Sequence, residues 1–200
     1  DYYASRGLGD VYKRQGEYCP VFFKTDRFTL VEYGNFSLSE HPDTIGIKGW
    51  DASYNRVTTW AVLQEKSNGK KFVYFNTHLD NDGKIARKEG VQLILNKIKE
   101  IAPDVPAIIT GDFNCEPDEE PLQILEKGGM QNTSETAGIT YGPSWSFHDF
   151  GRIPLDERVL IDYVFVTDGA KVNRYRVIQD APENGFLSDH CPVLVNLTLQ

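Results

Sequence analysis

No stretch of this sequence approaches the roughly 20 consecutive apolar residues that a membrane-spanning helix needs, so no such span is expected. Cysteine is scarce. Cys19, Cys115 and Cys191 are odd in number and far apart, which excludes a disulfide framework or a zinc-ligand spacing and leaves them as small buried residues. Positive charge is short as well: 21 Lys and Arg stand against 29 Asp and Glu, a net charge of −8. That excludes a protein whose main business is coating nucleic acid by phosphate neutralisation, but not an enzyme that takes one phosphate through a metal. Repeats, low-complexity tracts and linker-like runs are absent, so the 200 residues read as one domain with a substantial core. With 40% hydrophobic and 25% charged residues the chain has a globular rather than a disordered composition.

Asp1–Gly9 lacks the apolar core of a signal peptide and shows no convincing strand or helix pattern. Asp10-Val11-Tyr12-Lys13-Arg14-Gln15 reads as the in-frame translation of a transposase sequencing adapter. Residues 1–15 are therefore expected to be a non-native arm and residues 16–200 the domain proper. At the other end, Val193–Leu199 reads as a terminal strand that completes the chain.

Between these ends, Val21–Lys24 and Phe28–Tyr33 flank a turn and predict a hairpin, followed by a polar surface loop from Asn35 to Asn55. Arg56–Glu65 and Lys71–Thr77 predict a second hairpin through Asn68-Gly69, a pair suited to a type I′ turn. Arg87, Val91, Ile94, Leu95, Ile98 and Ile101 keep the spacing of one helix face, which Pro103 ends. Pro106–Thr110 predicts a strand, Glu119–Glu126 a helix, and Ile161–Val166 with Lys171–Val177 a further strand pair. The order implies a mixed α/β domain with largely antiparallel sheets.

Several of these strands end in chemistry rather than in turn formers. Lys71–Thr77 runs into His78, with Asn76 and His78 on one side by alternation. The strand before Gly111 runs into Asp112 and Asn114, which face one point if the backbone stays extended. Asp162 opens an otherwise apolar strand, and Ser188-Asp189-His190 precedes the last one. Each alone has an ordinary explanation as a turn residue, a cap or a structural pair. Together they suit attack of water on a phosphate ester: hard oxygen donors favour Mg²⁺ or Mn²⁺ over zinc, and a carboxylate-oriented imidazole moves a proton near neutral pH.

The segments Asn76–Asp80, Gly111–Asn114, Ile161–Phe165 and Ser188–Val193, in this order and spacing, resemble the DNase I-like endonuclease/exonuclease/phosphatase superfamily over essentially Gly16 to Gln200. Arg56–Ala61 and Trp145–His148 are similar to its bacterial members. The resemblance implies a four-layered α/β sandwich: two mixed, largely antiparallel sheets face to face, with helices outside. It also implies divalent-metal-dependent hydrolysis of a phosphate ester. His190 would be the general base or transition-state stabiliser, oriented by Asp162. Asp189 would be a metal ligand, and Asp112 would position the attacking water or a second metal. Asn114 would donate to the phosphate, and His78 would contact it from the opposite side and assist the leaving group. Arg56, Asn76, Phe147 and His148 would contact substrate.

The family opens with an Asn-bearing strand and a metal-binding Glu in a Gln-Glu pair. Neither is found before Val21, and Glu17 and Glu32 stand in other contexts. The expectation is a domain with its N-terminal strands missing and sheet edges exposed, weak metal binding and slow turnover. Other residues keep two readings. Arg56 contacts phosphate or pairs with a carboxylate, Asp80 caps the loop before the helix or binds metal, and Trp145 lines the groove or packs in an aromatic cluster. His41 reads as exposed, Trp50 and Trp60 as core. The substrate expected is a small phosphodiester, a sugar or lipid phosphate, or a nucleic acid; no protein partner is implied. The alternatives are a degenerate family member acting as a binding module and, more distantly, a calcium-binding domain.

Overall fold

The computed structural model describes residues 18–179 and 185–200 in full and residues 2–5 as backbone strand. The adapter-like segment Asp10–Gln15, Gly16 and Glu17 lie outside the described residues. The strands are β1 (Tyr2–Ser5), β2 (Val21–Lys24), β3 (Phe28–Ser37), β4 (Val57–Glu65), β5 (Lys71–His78), β6 (Ala107–Asp112), β7 (Met130–Asn132), β8 (Ile139–Tyr141), β9 (Asp162–Thr167), β10 (Ala170–Val177) and β11 (Val193–Leu199). The helices are α1 (Lys84–Ile101), α2 (Glu120–Lys127) and the single turn α3 (Thr133–Thr136). A six-stranded sheet runs β3-β4-β5-β6-β9-β7 and a three-stranded one β11-β10-β8; β1 and β2 form a separate antiparallel pair. Both larger sheets are mixed, with parallel pairs β5–β6 and β8–β10.

Side-chain alternation builds the layers. Val73 and Phe75 of β5, Ala107 and Ile109 of β6, and Tyr163 and Phe165 of β9 pack toward the buried face of α1, where Val91, Ile94, Leu95 and Ile98 lie. The residues of opposite parity, Phe72, Ile108, Val164 and Val166, pack against Val172, Val193, Val195 and Leu197 of the smaller sheet. The two sheets therefore meet face to face across an apolar layer, as the resemblance implies. On the six-stranded sheet, α1 and α2 supply the outer layer.

Several expectations need correction. Thr25-Asp26-Arg27 does turn the chain, with Arg27 N–H donating to Lys24 O at 3.2 Å. The flanking strands are not a hairpin, however: β3 pairs with β4 while β2 pairs with β1. Val21 and Phe23 are drawn into the inter-sheet layer, which takes β2 out of the plane of β3. Tyr2–Ser5, which carries no strand pattern, becomes a strand because β2 offers it a backbone edge, and backbone pairing needs no apolar alternation. The stretch from Asn35 is not all surface loop: β3 extends to Ser37, and Phe36, Ser37, Leu38 and Ser39 are buried. In the β4–β5 connection Gly69 takes φ +74° while Asn68 stays out of the left-handed region, so the turn is not type I′. There Asn68 Oδ1 accepts from Lys70 N–H at 2.9 Å. Finally, β9 and β10 are consecutive but unpaired, because β6 and β7 occupy both edges of β9.

Candidate active site

Register places the site. His78 is the parallel partner of Asp112 across β5–β6, and Asp112 is the antiparallel partner of Asp162 across β6–β9. All three have the parity of the inter-sheet face, so they form a row across neighbouring strands at one end of the apolar layer. His190 comes from the other side, in the segment leading into β11 of the smaller sheet. The row and His190 line a cleft of about 430 Å³ together with Tyr18, Tyr74, Asn76 and Thr110.

The polar atoms form a chain. His190 Nδ1 lies 2.7 Å from Asp162 Oδ2. His190 Nε2 faces Asp112 Oδ2 at 3.9 Å, and His78 Nε2 approaches the same oxygen at 3.2 Å. Burial pulls the His190 pKa down, but the hydrogen bond and charge of Asp162, with Asp112 and Asp189 behind it, outweigh burial and raise it. Phe147 lies against the His190 ring, centroids 4.8 Å apart, and pairs with His190 in an isolated backbone bridge. Asp162, Asp112, His78 and Phe147 thus gather around His190.

Other expected site residues sit differently. The backbone is not extended from Asp112 to Asn114: Asn114 has φ +47°, its N–H donates to Asp112 Oδ1 at 2.8 Å, and its Nδ2 donates to Leu79 O. Asn76 Nδ2 donates to Pro20 O, and its Oδ1 accepts from Thr110. Arg56 is buried, its Nε 3.5 Å from Asp80 Oδ2 and its guanidinium donating to Asn81, so it pairs with a carboxylate. His148 is 1% exposed, which removes it from the groove surface. Its Nδ1 accepts from Gly151 N–H at 3.0 Å and its ring packs on Phe186, while burial followed by the charge of Arg158 lowers its pKa. Asp80 is a loop organiser, accepting from the N–H groups of Ser53, Tyr54, Asp82 and Gly83. Trp145 is buried in a cluster with Tyr175 and Val177, Trp60 packs on the core, and Trp50 is half-buried. The three cysteines are free and buried; burial pushes Cys19, beside the cleft, up to about 12, so it is no thiolate near neutral pH. Thr110 shares the parity of Asp112 and lines the cleft with it, whereas Ser146, between two aromatics, carries no such signal in the sequence.

A divalent cation is the cofactor the resemblance implies. Among the described residues, no three His, Cys, Asp or Glu side chains gather as a metal-holding group. Asp112 already accepts from Asn114 and faces two imidazoles. This set does not fit a cation held by protein ligands alone, so the chemistry below is derived from the chain's own residues. Among the described residues, no helix is long and apolar enough to cross a membrane.

A profile described as "Endonuclease/Exonuclease/phosphatase family" matches residues 14–190. A Bacteroides vulgatus endonuclease/exonuclease/phosphatase structure is 37% identical with TM-score 0.94, the match covering 100% of this chain and 77% of that one. A mannosyl-6-phosphatase from Bacteroides thetaiotaomicron is 36% identical with TM-score 0.88, at the same coverages. Among curated proteins, Drosophila melanogaster nocturnin is 32% identical over 104 residues, 50% of this chain and 15% of nocturnin. An uncharacterised mimivirus protein is 29% identical over 79% of this chain and 62% of its own length. The chain thus spans less than two thirds of these curated relatives.

Proposed function

The chain belongs to the endonuclease/exonuclease/phosphatase family, and from that premise we propose that it hydrolyses a phosphate ester, a sugar phosphate or another small ester first among the candidates. The observation that carries the reading is the 2.7 Å pair of His190 and Asp162 at the mouth of a cleft that also holds Asp112 and His78. Asp162 accepts the Nδ1 proton and leaves Nε2 of His190 free to take a proton from water beside Asp112. The water oxygen bonds to phosphorus as the bond from phosphorus to the ester oxygen breaks, and the departing ester oxygen takes a proton from His78. Solvent then removes the proton from His190 and restores the one on His78. Mg²⁺ or Mn²⁺ is the proposed cofactor, held weakly at Asp189 and Asp112, since Mg²⁺ keeps several waters and needs few carboxylates. The net charge of −8 favours a small ester over duplex DNA, and the mannosyl-6-phosphatase relative supports a sugar phosphate.

The test is to assay the chain on a sugar phosphate, a chromogenic phosphodiester and plasmid DNA, with Mg²⁺ and with a chelator. Turnover of the small esters that falls with the chelator, and by about 10²–10⁴-fold in His190→Ala, is expected. A His190→Ala rate equal to that of the unchanged protein sinks the mechanism. The second reading, a binding module, draws on the absence of a three-residue metal group among the described residues. Phosphate-ester binding without turnover in any cation would favour it.

A further inference from the structure

We propose that Ser146 is the positioning residue that holds Asp162 and His190 together, an inference that rests on the reading of that pair as the proton-transferring group. Ser146 is 0% exposed and is not part of the cleft lining. Its hydroxyl oxygen accepts from two consecutive backbone donors, Ile161 N–H and Asp162 N–H, each at 3.1 Å. Its carbonyl accepts from Cys191 N–H at 2.7 Å, and its own N–H donates to Val159 O at 2.9 Å. One residue therefore bonds the chain at Asp162 and the chain immediately after His190.

The need for it is topological. β7 pairs with β9 only over Phe165–Thr167, so the first N–H groups of β9 receive no acceptor from that strand. Asp162 opens β9 of the larger sheet and His190 lies in the segment leading into β11 of the smaller one, and among the described residues no β-ladder joins those two sheets to fix their separation. The segment from Ser146 to Phe147 fills the gap, bonded to Val159 on one side and to the His190 segment on the other. The hydroxyl oxygen is the side-chain atom of that link that accepts from the Asp162 backbone. Without it, two donors lose their acceptor and the start of β9 is free to move relative to His190. A 2.7 Å hydrogen bond tolerates little of that movement.

Three variants test the assignment. Ser146→Ala removes the acceptor, Ser146→Cys keeps the size but offers only a weak one, and Ser146→Thr keeps the oxygen. In Ala and Cys, kcat is expected to fall about 10–100-fold with KM changed less than about twofold, and Thr to recover most of the rate. Added to Asp162→Ala, Ser146→Ala should cost nothing further, because the group it positions is gone. A readout independent of turnover is the His190 ring in a long-range ¹H–¹⁵N correlation spectrum at alkaline pH. The unchanged protein and Ser146→Thr should show the Nδ1–H tautomer that Asp162 selects, and Ala and Cys a mixture. An unchanged ring spectrum in folded Ser146→Ala or Ser146→Cys, or a rate loss that adds to that of Asp162→Ala, overturns the proposal. If the unchanged protein hydrolyses no ester, the functional reading fails, and the ring spectrum alone decides the role of Ser146.

Discussion

Asp80 shows how a motif residue can serve the site without entering it. It is 1% exposed, accepts four backbone N–H groups from two loops and faces the Arg56 guanidinium. Burial raises its pKa, but those backbone hydrogen bonds outweigh burial and bring it to about 2. A carboxyl whose folded pKa lies below its unfolded value of about 3.9 contributes stability that is complete above the unfolded pKa and lost as pH falls through the folded one. Asp80→Ala is expected to cost about 3–5 kcal/mol near neutral pH, since it leaves Arg56 buried without its carboxylate. Denaturant unfolding should show the gap to the unchanged protein closing between about pH 4 and pH 2; a gap independent of pH would refute this origin. The role of Asp80 as a cap of the loop before α1 was legible in the sequence, because Asp in a loop bonds nearby backbone N–H groups more often than it catalyses. The burial of His148 was not, because it takes the packing of Trp145 and Phe186 and the Gly151 N–H to show that its ring is already engaged.

At the level of elements, the β5–β6 pair carries the site through one glycine. Gly111 sits at φ +152°, and a Cβ there would lie 1.9 Å from the Thr77 carbonyl oxygen of the neighbouring strand. Gly111→Ala is expected to destabilise the domain by about 1–3 kcal/mol and to push Asp112 out of register with His78, lowering kcat in the folded fraction. Gly129→Ala is the control: its φ of +90° strains any side chain, but nothing lies within 4 Å and it is remote from the cleft. It should lower the melting temperature and leave kcat alone; equal rate losses in both would remove the register argument. Register also explains what could be read in advance. The alternation of β5, β6 and β9 is visible in their residues, so the shared face of His78, Asp112 and Asp162 follows from parity. Layer membership does not follow from local pattern. The turn at Thr25-Asp26-Arg27 forms, yet nothing local tells that β2 leaves the plane of β3. Ile139-Thr140-Tyr141 is too short a run to announce β8 as a strand.

For the whole molecule, the consequence is that two apolar layers have different duties. The layer under α1 and α2 supports one sheet, whereas the layer between the sheets also sets how far His190 stands from Asp162. Ile108 belongs to the inter-sheet layer and Ile94 to the helix layer, at 5% and 0% exposure. Truncating either to Ala removes similar apolar volume and should cost about 2–5 kcal/mol. The rates should separate. A cavity beside Ile94 lies behind the sheet and leaves the spacing of β6, β9 and the β11 segment intact, so kcat per folded molecule is expected to hold. A cavity at Ile108 opens between the sheets and lets the His190 segment shift against the Asp112–Asp162 row, where small misplacements cost rate steeply. Thermal melts establish that the two variants are equally destabilised, and kcat measured well below both melting temperatures then compares the layers. Equal rates would mean that the Ser146 link alone fixes the pair. A slower Ile108→Ala would mean that the packing of the whole sandwich sets the geometry of the reaction.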